Sequence, residues 1–510
     1  MAKKKKISCQ ESPKDTARRL KKERFARINA EVRQEMVQTR ILAAEEMAAN
    51  RTKLHFLSSK AIAAGPVETF DRFPVEVKLQ ILKELTDINS LHSLISVSRS
   101  FHESYINDQY QHEIFCKILV EEMTLPIFLQ AVAIFSNSVR SIRWTGKWTK
   151  AFQNVREFMD QYSTNSRVEI FNHRSYNMRT LVRIAEFHLT IKAVTHDFFK
   201  YCLHLHPGTH ERYGKNELKR LEELRIQRAF YNLELYVRIF QRGDHYLNKQ
   251  TVLNKQLYGI IPGRLKVRRE IHDSFFNYFS YWEIEEIVSV KDYMEREYND
   301  IINECKDFLA KNSQAQRYGS SSTLKRINEA VNIKLGEYDY FTNHYNTLTR
   351  TFINKGVEFF WKVCNQNGPK TKIPLIDISI QQDTMLLSTQ FTKMKIIDLY
   401  MKDQATNIQP SQIEISRYSQ FVRSYSRFRG SRAGQLDLPG SIYAWHYMYW
   451  LLISRFYYYR DYWSSWGYCM WDVVRLSRIP DFYWSGFIER KHGPRSRLSS
   501  RVVPLTSNVK

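Results

Sequence analysis

Cysteine is scarce and scattered: Cys9, Cys116, Cys202, Cys305, Cys364 and Cys469 include no CxxC pair and no closely spaced set. That excludes the disulfide framework of small secreted domains and leaves reduced, mostly buried thiols as the expectation. Glycine and proline are sparse as well, 17 and 13 among 510 residues, so few positions interrupt helices. Long aliphatic runs are missing. The best candidate for a membrane span, Ile442 to Tyr459, is short, contains His446 and Arg455, and is built of Tyr and Trp, so no membrane association is expected. Lys3 to Lys6 are not followed by an apolar stretch, which argues against a secretory leader and for a reducing compartment, nucleus or cytoplasm. No repeat of fixed period is visible. The GxxxxGK[ST] phosphate loop, GxGxxG after a strand, the GxSxG elbow and the HExxH pair are all absent, so no catalytic residue and no cofactor are assigned.

The length exceeds one ordinary core and predicts roughly two to four domains. A hydrophobic fraction of 43% and an aromatic fraction of 14% suit a globular body. Charge is strongly biased, with 77 Lys and Arg against 53 Asp and Glu, a net +24 that favours an anionic partner without naming it. Residues 1 to 60 hold 16 basic and 7 acidic side chains of this total.

Periodicity predicts a mainly α fold. Lys14 to about Lys53 is rich in Ala, Glu, Lys and Arg with few apolar positions, so the expectation is a helix that projects from the body or frays, within a basic arm at 1–65. Gly65 and Pro66 break it. From Arg179 to Leu205 the residues Leu181, Ile184, Ala185, His188, Ile191 and Val194 recur at helical spacing, and Glu217 to Phe240 is a second strong helix. Phe275 to Asn303, Leu324 to Leu335 and Tyr338 to Val363 also read as helical. The alternation of Ile376, Ile378 and Ile380 with Asp377 and Ser379 allows one short strand. Asn365 to Lys372 and Arg427 to Gly440 read as linkers. The predicted division is a short-helix unit at 66–125, a helical body at 126–490 and a basic disordered tail at 491–510.

The segment from Phe70 to Leu85 carries the functional argument. Pro74 suits a first helical turn, and Glu76 sets negative charge beside the positive end of that helix. Val77, Ile81, Leu82 and Leu85 then form one apolar stripe on a helix too short to persist alone. A turn at Thr86 to Asn89 supplies a mate, with Asn89 or Ser90 as the expected cap and Leu91, Leu94, Ile95 and Phe101 continuing the apolar face.

At these residues the chain resembles the F-box, whose pattern opens with Leu-Pro, an acidic residue and paired aliphatics. Phe73 stands in place of the usual Leu, while Leu91, Leu94, Val97, Ser98, Arg99 and Phe101 match later positions with one extra residue between the helices. The spacing is similar to that of fungal F-box-like proteins. Fainter similarity to their bodies continues at Leu224 to Ala229, Trp282 to Glu286, Trp466 to Tyr468, Trp471 and Asp472. The resemblance implies that Phe73, Pro74, Val77, Ile81, Leu82, Leu94 and Val97 form or support a surface for a Skp-type adaptor. A cullin and RING scaffold would stand beyond that adaptor, and the body would recruit an unknown protein substrate.

Other features are weighed against plainer explanations. His188, His196, His204, His206 and His210 lack Cys or carboxylates at zinc-site intervals, so surface and turn histidines are expected and no metal is assigned. Glu283, Glu285 and Glu286 are read as a solvated face or a charge match to the basic body. Trp445, Tyr449, Leu452 and Phe456 follow the spacing of a packed helix face, preferred over base stacking. Lys5 and Lys6, then Arg18, Arg19, Lys21 and Lys22, resemble a bipartite nuclear import signal. The basic arms and the segment Arg417 to Arg432 support a rival reading, a nuclear nucleic-acid-associated protein.

Overall fold

The structure, a computed structural model, describes residues 13–58, 73–106, 108–136, 148–165, 176–203, 217–258, 275–276, 278–279, 281–311, 349, 352–381 and 470. These residues form twelve helices and no strand, in line with the mainly α expectation.

Helix α1 (Pro13–Ser58) owes its length to a run without glycine or internal proline. Its second half does not project. Met36, Arg40, Met47, Asn50, Leu54 and Leu57 are buried, one every turn or two along a single face. The apolar residues are few, as the sequence indicated, but they share a line, and that line is sealed against α8 (Met178–Leu203). The two helices run antiparallel: Lys200 Nζ donates to Thr39 Oγ1 at 2.6 Å, Arg40 meets Asp197, and His55 lies 3.7 Å from Glu186. The expectation of a free basic arm over residues 1–65 is therefore corrected from Met36 onward.

Arg40 makes the strongest attachment. Its Nε and Nη2 donate to Asp197 Oδ2 at 2.8 and 2.6 Å, and Nη2 also reaches Glu297 Oε2 at 2.5 Å on α10 (Tyr281–Lys311). Tyr293 OH donates to the same Asp197 oxygen at 2.5 Å. Burial alone would lower the Arg40 pKa, but the surrounding negative groups, Glu297 foremost, hold it well above its usual value.

Three short helices follow, α2 (Val75–Glu84), α3 (Ile88–Val97) and α4 (Arg99–Tyr105), then α5 (Asp108–Met123) and α6 (Leu125–Phe135). The last two meet at a 115° bend, and no single described helix is long and apolar enough to cross a membrane. Thr124 at the bend adopts φ 71°, a costly conformation for a β-branched residue. Its neighbour Glu122 is gripped from two sides: Lys192 holds the carboxylate at 2.7 Å and Arg220 Nη2 donates to the carbonyl.

The body is built on α9 (Arg220–Tyr258), which packs against α6, α8 and α10, with α7 (Trp148–Asn165) also present. Heavy use of Tyr and Phe is explained here, because edge-to-face rings fill the interior. Phe198 lies 5.3 Å from Tyr293, and Phe360 lies 5.6 Å from Tyr293 and 5.3 Å from Tyr298. The buried apolar residues from Met47 to Met470 form one continuous cluster, so the short-helix unit and the body share a core.

The helix predicted over Tyr338 to Val363 is broken at Gly356, and α11 (Val357–Cys364) begins only after it. Gly356 has φ 85°, and a Cβ there would meet Glu234 Oε2 at 2.5 Å. That carboxylate accepts from Val357 N at 2.8 Å, capping α11 from α9 in place of a local cap. The segment with alternating isoleucines is helical, α12 (Pro369–Gln381), not a strand, and it takes over the end of the stretch read as a linker. Ile376 is buried against the core, which satisfies the apolar residue that suggested a strand.

Two stability outcomes are expected. Arg40→Met should cost about 3–5 kcal/mol, because it strips a buried cation from two buried carboxylates; chemical denaturation of the purified chain measures it. Gly356→Ala should lower the melting temperature by the equivalent of about 1–3 kcal/mol, through backbone strain and the clash with Glu234.

Candidate docking surface

Burial divides α2 into two faces. Lys78, Leu79 and Leu82 point inward, while Val75, Glu76, Val77 and Gln80 face solvent. The predicted stripe of Val77, Ile81, Leu82 and Leu85 is thus split: Leu82 is fully buried, Ile81 and Leu85 are half-buried against the core, and Val77 is 41% exposed. Leu82, expected to form or support the surface, is placed where it could only support it from within. Leu79, which the stripe omitted, is its inward partner.

Pro74 is the N-cap of α2 rather than a residue of its first turn, and its carbonyl accepts from Lys78 N at 3.1 Å. With no side-chain cap available there, the fixed φ of proline sets the chain direction. The second helix is capped by Asp87, not Asn89 or Ser90. Asp87 Oδ1 accepts from Ser90 N at 2.8 Å and Oδ2 from Ser90 Oγ at 2.6 Å. Burial alone would raise the Asp87 pKa, but these bonds from Ser90 hold it below the usual value. On α3 the inward face is Ile88, Leu91 and Ile95, leaving Leu94 half-buried and Val97 55% exposed.

A third helix closes the unit. Ser98 caps α4, whose Phe101, His102 and Tyr105 are buried. Lys78 Nζ donates to Ser100 Oγ, which brings the first turn of α2 to the junction of α3 and α4. At that end Phe73 is 42%, Val75 52%, Val77 41% and Val97 55% exposed. Six large apolar side chains are exposed among the described residues, these four with Val37 and Leu42 of α1. Four of the six therefore lie within one small unit, at residues the F-box pattern singles out, with Val75 as the additional member. The surface offers apolar contact.

The remaining candidates are placed as follows. Lys5 and Lys6 lie outside the described residues; positions 18, 19, 21 and 22 are on α1, where Arg19 is exposed and 3.7 Å from Glu23. His188 is not at the surface. It is buried, its Nδ1 is 3.1 Å from Tyr231 OH, and burial pushes its pKa down to about 4. His196 is exposed, and His204, His206 and His210 lie outside the described residues. No metal-holding group of His, Cys, Asp and Glu is present among the described residues.

Glu285 and Glu286 are buried rather than solvated. Arg228 Nη2 donates to Glu286 at 2.6 Å and Arg228 Nη1 lies 3.5 Å from Glu283, so the alternative of a charge match holds for this pair. Burial pushes Glu286 up to about 7 in spite of Arg228. The segments at Trp445 to Phe456 and Arg417 to Arg432 lie outside the described residues, whereas Met470 is fully buried and its carbonyl accepts from Arg225 Nη1 at 2.7 Å.

No protein family, curated protein or solved structure matches this chain.

Opposite responses are expected from neighbouring positions. Val77→Asp should change stability by no more than about 0.5 kcal/mol, as at an ordinary surface site. Leu82→Asp buries an unpaired charge and should abolish hydrogen-exchange protection of α2 to α4. Similar melting curves for the two variants would show that the faces are assigned wrongly.

Proposed function

We propose that this protein is an F-box-type adaptor. The exposed edge of α2 and α3 seats a Skp-type partner, which connects it to a cullin-RING ubiquitin ligase, and the helical body holds a protein substrate. Catalysis then belongs to the partners, and neither cofactor nor metal is required of this chain.

The observation that carries the reading is the concentration of exposed apolar side chains at Phe73, Val75, Val77 and Val97, in a protein whose other large apolar residues are nearly all buried among the described positions. A short-helix unit gains nothing from exposing them in water, and each would contribute once a partner excludes solvent. The half-buried Ile81 and Leu94 extend the same edge inward. Pro74 and the Asp87 cap fix the directions of the two helices that present it.

Net charge favours the second reading, a nucleic-acid-associated protein, because +24 attracts phosphate. Salt separates the two. Binding through phosphates collapses as ionic strength rises, whereas an apolar edge holds its partner.

Purified full-length protein is expected to capture a Skp-type adaptor at both low and high salt. Val77→Asp combined with Val97→Asp should weaken capture at least about 30-fold, the effect of losing roughly 2 kcal/mol at the centre of an interface. Equal capture by the wild type and the double variant rejects this surface, and retention of nucleic acid alone, lost with salt, favours the second reading.

A further inference from the structure

The joint between α1 and the short-helix unit contains a histidine that the docking surface does not use. His102 of α4 is 1% exposed, and neither Nδ1 nor Nε2 has a hydrogen-bond partner. Its ring centroid lies 5.8 Å from that of Phe56 on α1. The same Phe56 makes an edge-to-face contact at 5.3 Å with His92 of α3. One phenylalanine at the C-terminal end of α1 thus touches two histidines, one on each of two neighbouring helices.

No carboxylate is hydrogen-bonded to the ring, and the pull of Glu103 on it is smaller than the effect of burial. From α1 come Lys53, whose Nζ donates to Asn89 Oδ1 at 2.7 Å, and His55, which lies 3.7 Å from Glu186. On α4 itself Glu103 is held by Arg99 at 2.8 Å. Helix α2 contributes Lys78, which donates to Ser100 Oγ, and Lys83, which pairs with Glu113 of α5 at 2.7 Å. Gln111 of α5 is committed to the carbonyl of Leu57 at 3.1 Å.

We propose that this joint is a proton-sensitive latch: protonation of His102 loosens the α2–α4 unit from the end of α1. A neutral imidazole is tolerated at this buried position beside Phe56, but an imidazolium there would be stripped of water with no hydrogen-bond acceptor to replace it. The face of Phe56 attracts a cation, yet phenylalanine is a weak partner for one, and Lys53 repels charge on His92. Burial lowers the His102 pKa against a smaller upward pull from Glu103, and burial together with Lys53 lowers that of His92.

The direction of the pH effect follows. The docked rings have pKa values below that of free imidazole, so the joint is fully stable above about pH 6.5 and weakens as pH falls below it, when only the detached state takes up the proton readily. At neutral pH the docking edge is held at a fixed angle to the body, and acidification releases it. That consequence for partner binding rests on the adaptor reading; the latch itself does not.

Hydrogen exchange of the full-length protein at about pH 7.5 and about pH 5.5, corrected for intrinsic rates, tests it on either side of the free-imidazole value. In the wild type, α2 to α4 should open more at the lower pH, by up to about tenfold, the limit set by a free imidazole titrating near 6.5, and His102→Phe should diminish that response. Peptides from α8 and α9, which carry the separate buried His188, report any general acid loosening. Loss of protection in α2 to α4 that persists undiminished in His102→Phe, or that is absent from the wild type, overturns the proposal. Should the variant pack poorly, exchange of the imidazole C2 proton in the wild type decides: a His102 midpoint below about 6.5 supports the latch, and one at or above it refutes it. Neither measurement involves a Skp-type partner, so failure of the latch and failure of the adaptor reading are distinguishable.

Discussion

A guanidinium held between carboxylates from two different helices sets the geometry of this molecule. Arg40 joins α1 to Asp197 on α8 and to Glu297 on α10. Such a buried cluster adds little net stability compared with apolar packing, but it tolerates no slippage, since a shift by one turn would strand charges in a low-dielectric interior. It therefore fixes the register of α1. Met47, Leu54 and Leu57 then fall into the shared core, and the end of α1 meets α3. The position of the short-helix unit relative to the body is a downstream result of that register.

Much of the architecture was legible in periodicity. The helices around Leu181 to Val194 and over Glu217 to Phe240 are present, and the residues on the predicted apolar face of the first are buried. The failures share a physical cause, which is that charge was taken as a sign of solvent. Arg40, Glu234 and Glu286 are polar in sequence yet buried in the fold, because each has a partner that lies far along the chain or on another helix. The same assumption sent α1 into solvent and left Glu285 and Glu286 on a surface. Gly356 shows the converse, a break inside an otherwise helical pattern whose reason is a carboxylate 122 positions earlier.

The residues expected to form or support a docking edge divide by exposure. Phe73, Pro74, Val77 and Val97 are exposed, and only Leu82 turned out to face the interior. A helix of this length presents its apolar residues obliquely, so a stripe drawn at i, i+4, i+5 and i+8 crosses from one face to the other. Sequence spacing could place the residues on the helix but not decide which side the rest of the molecule would cover. That choice was made by α4 and α5, and by Lys78 reaching Ser100.

The bond from Arg225 to the carbonyl of Met470 spans 245 positions and lies inside the core. During synthesis, α9 emerges long before its acceptor does. The growing chain must therefore keep that guanidinium site open while the intervening residues are made, and the interior around α9 reaches its final packing only after Met470 has emerged. Assembly order is in this way written into one peptide oxygen far along the chain.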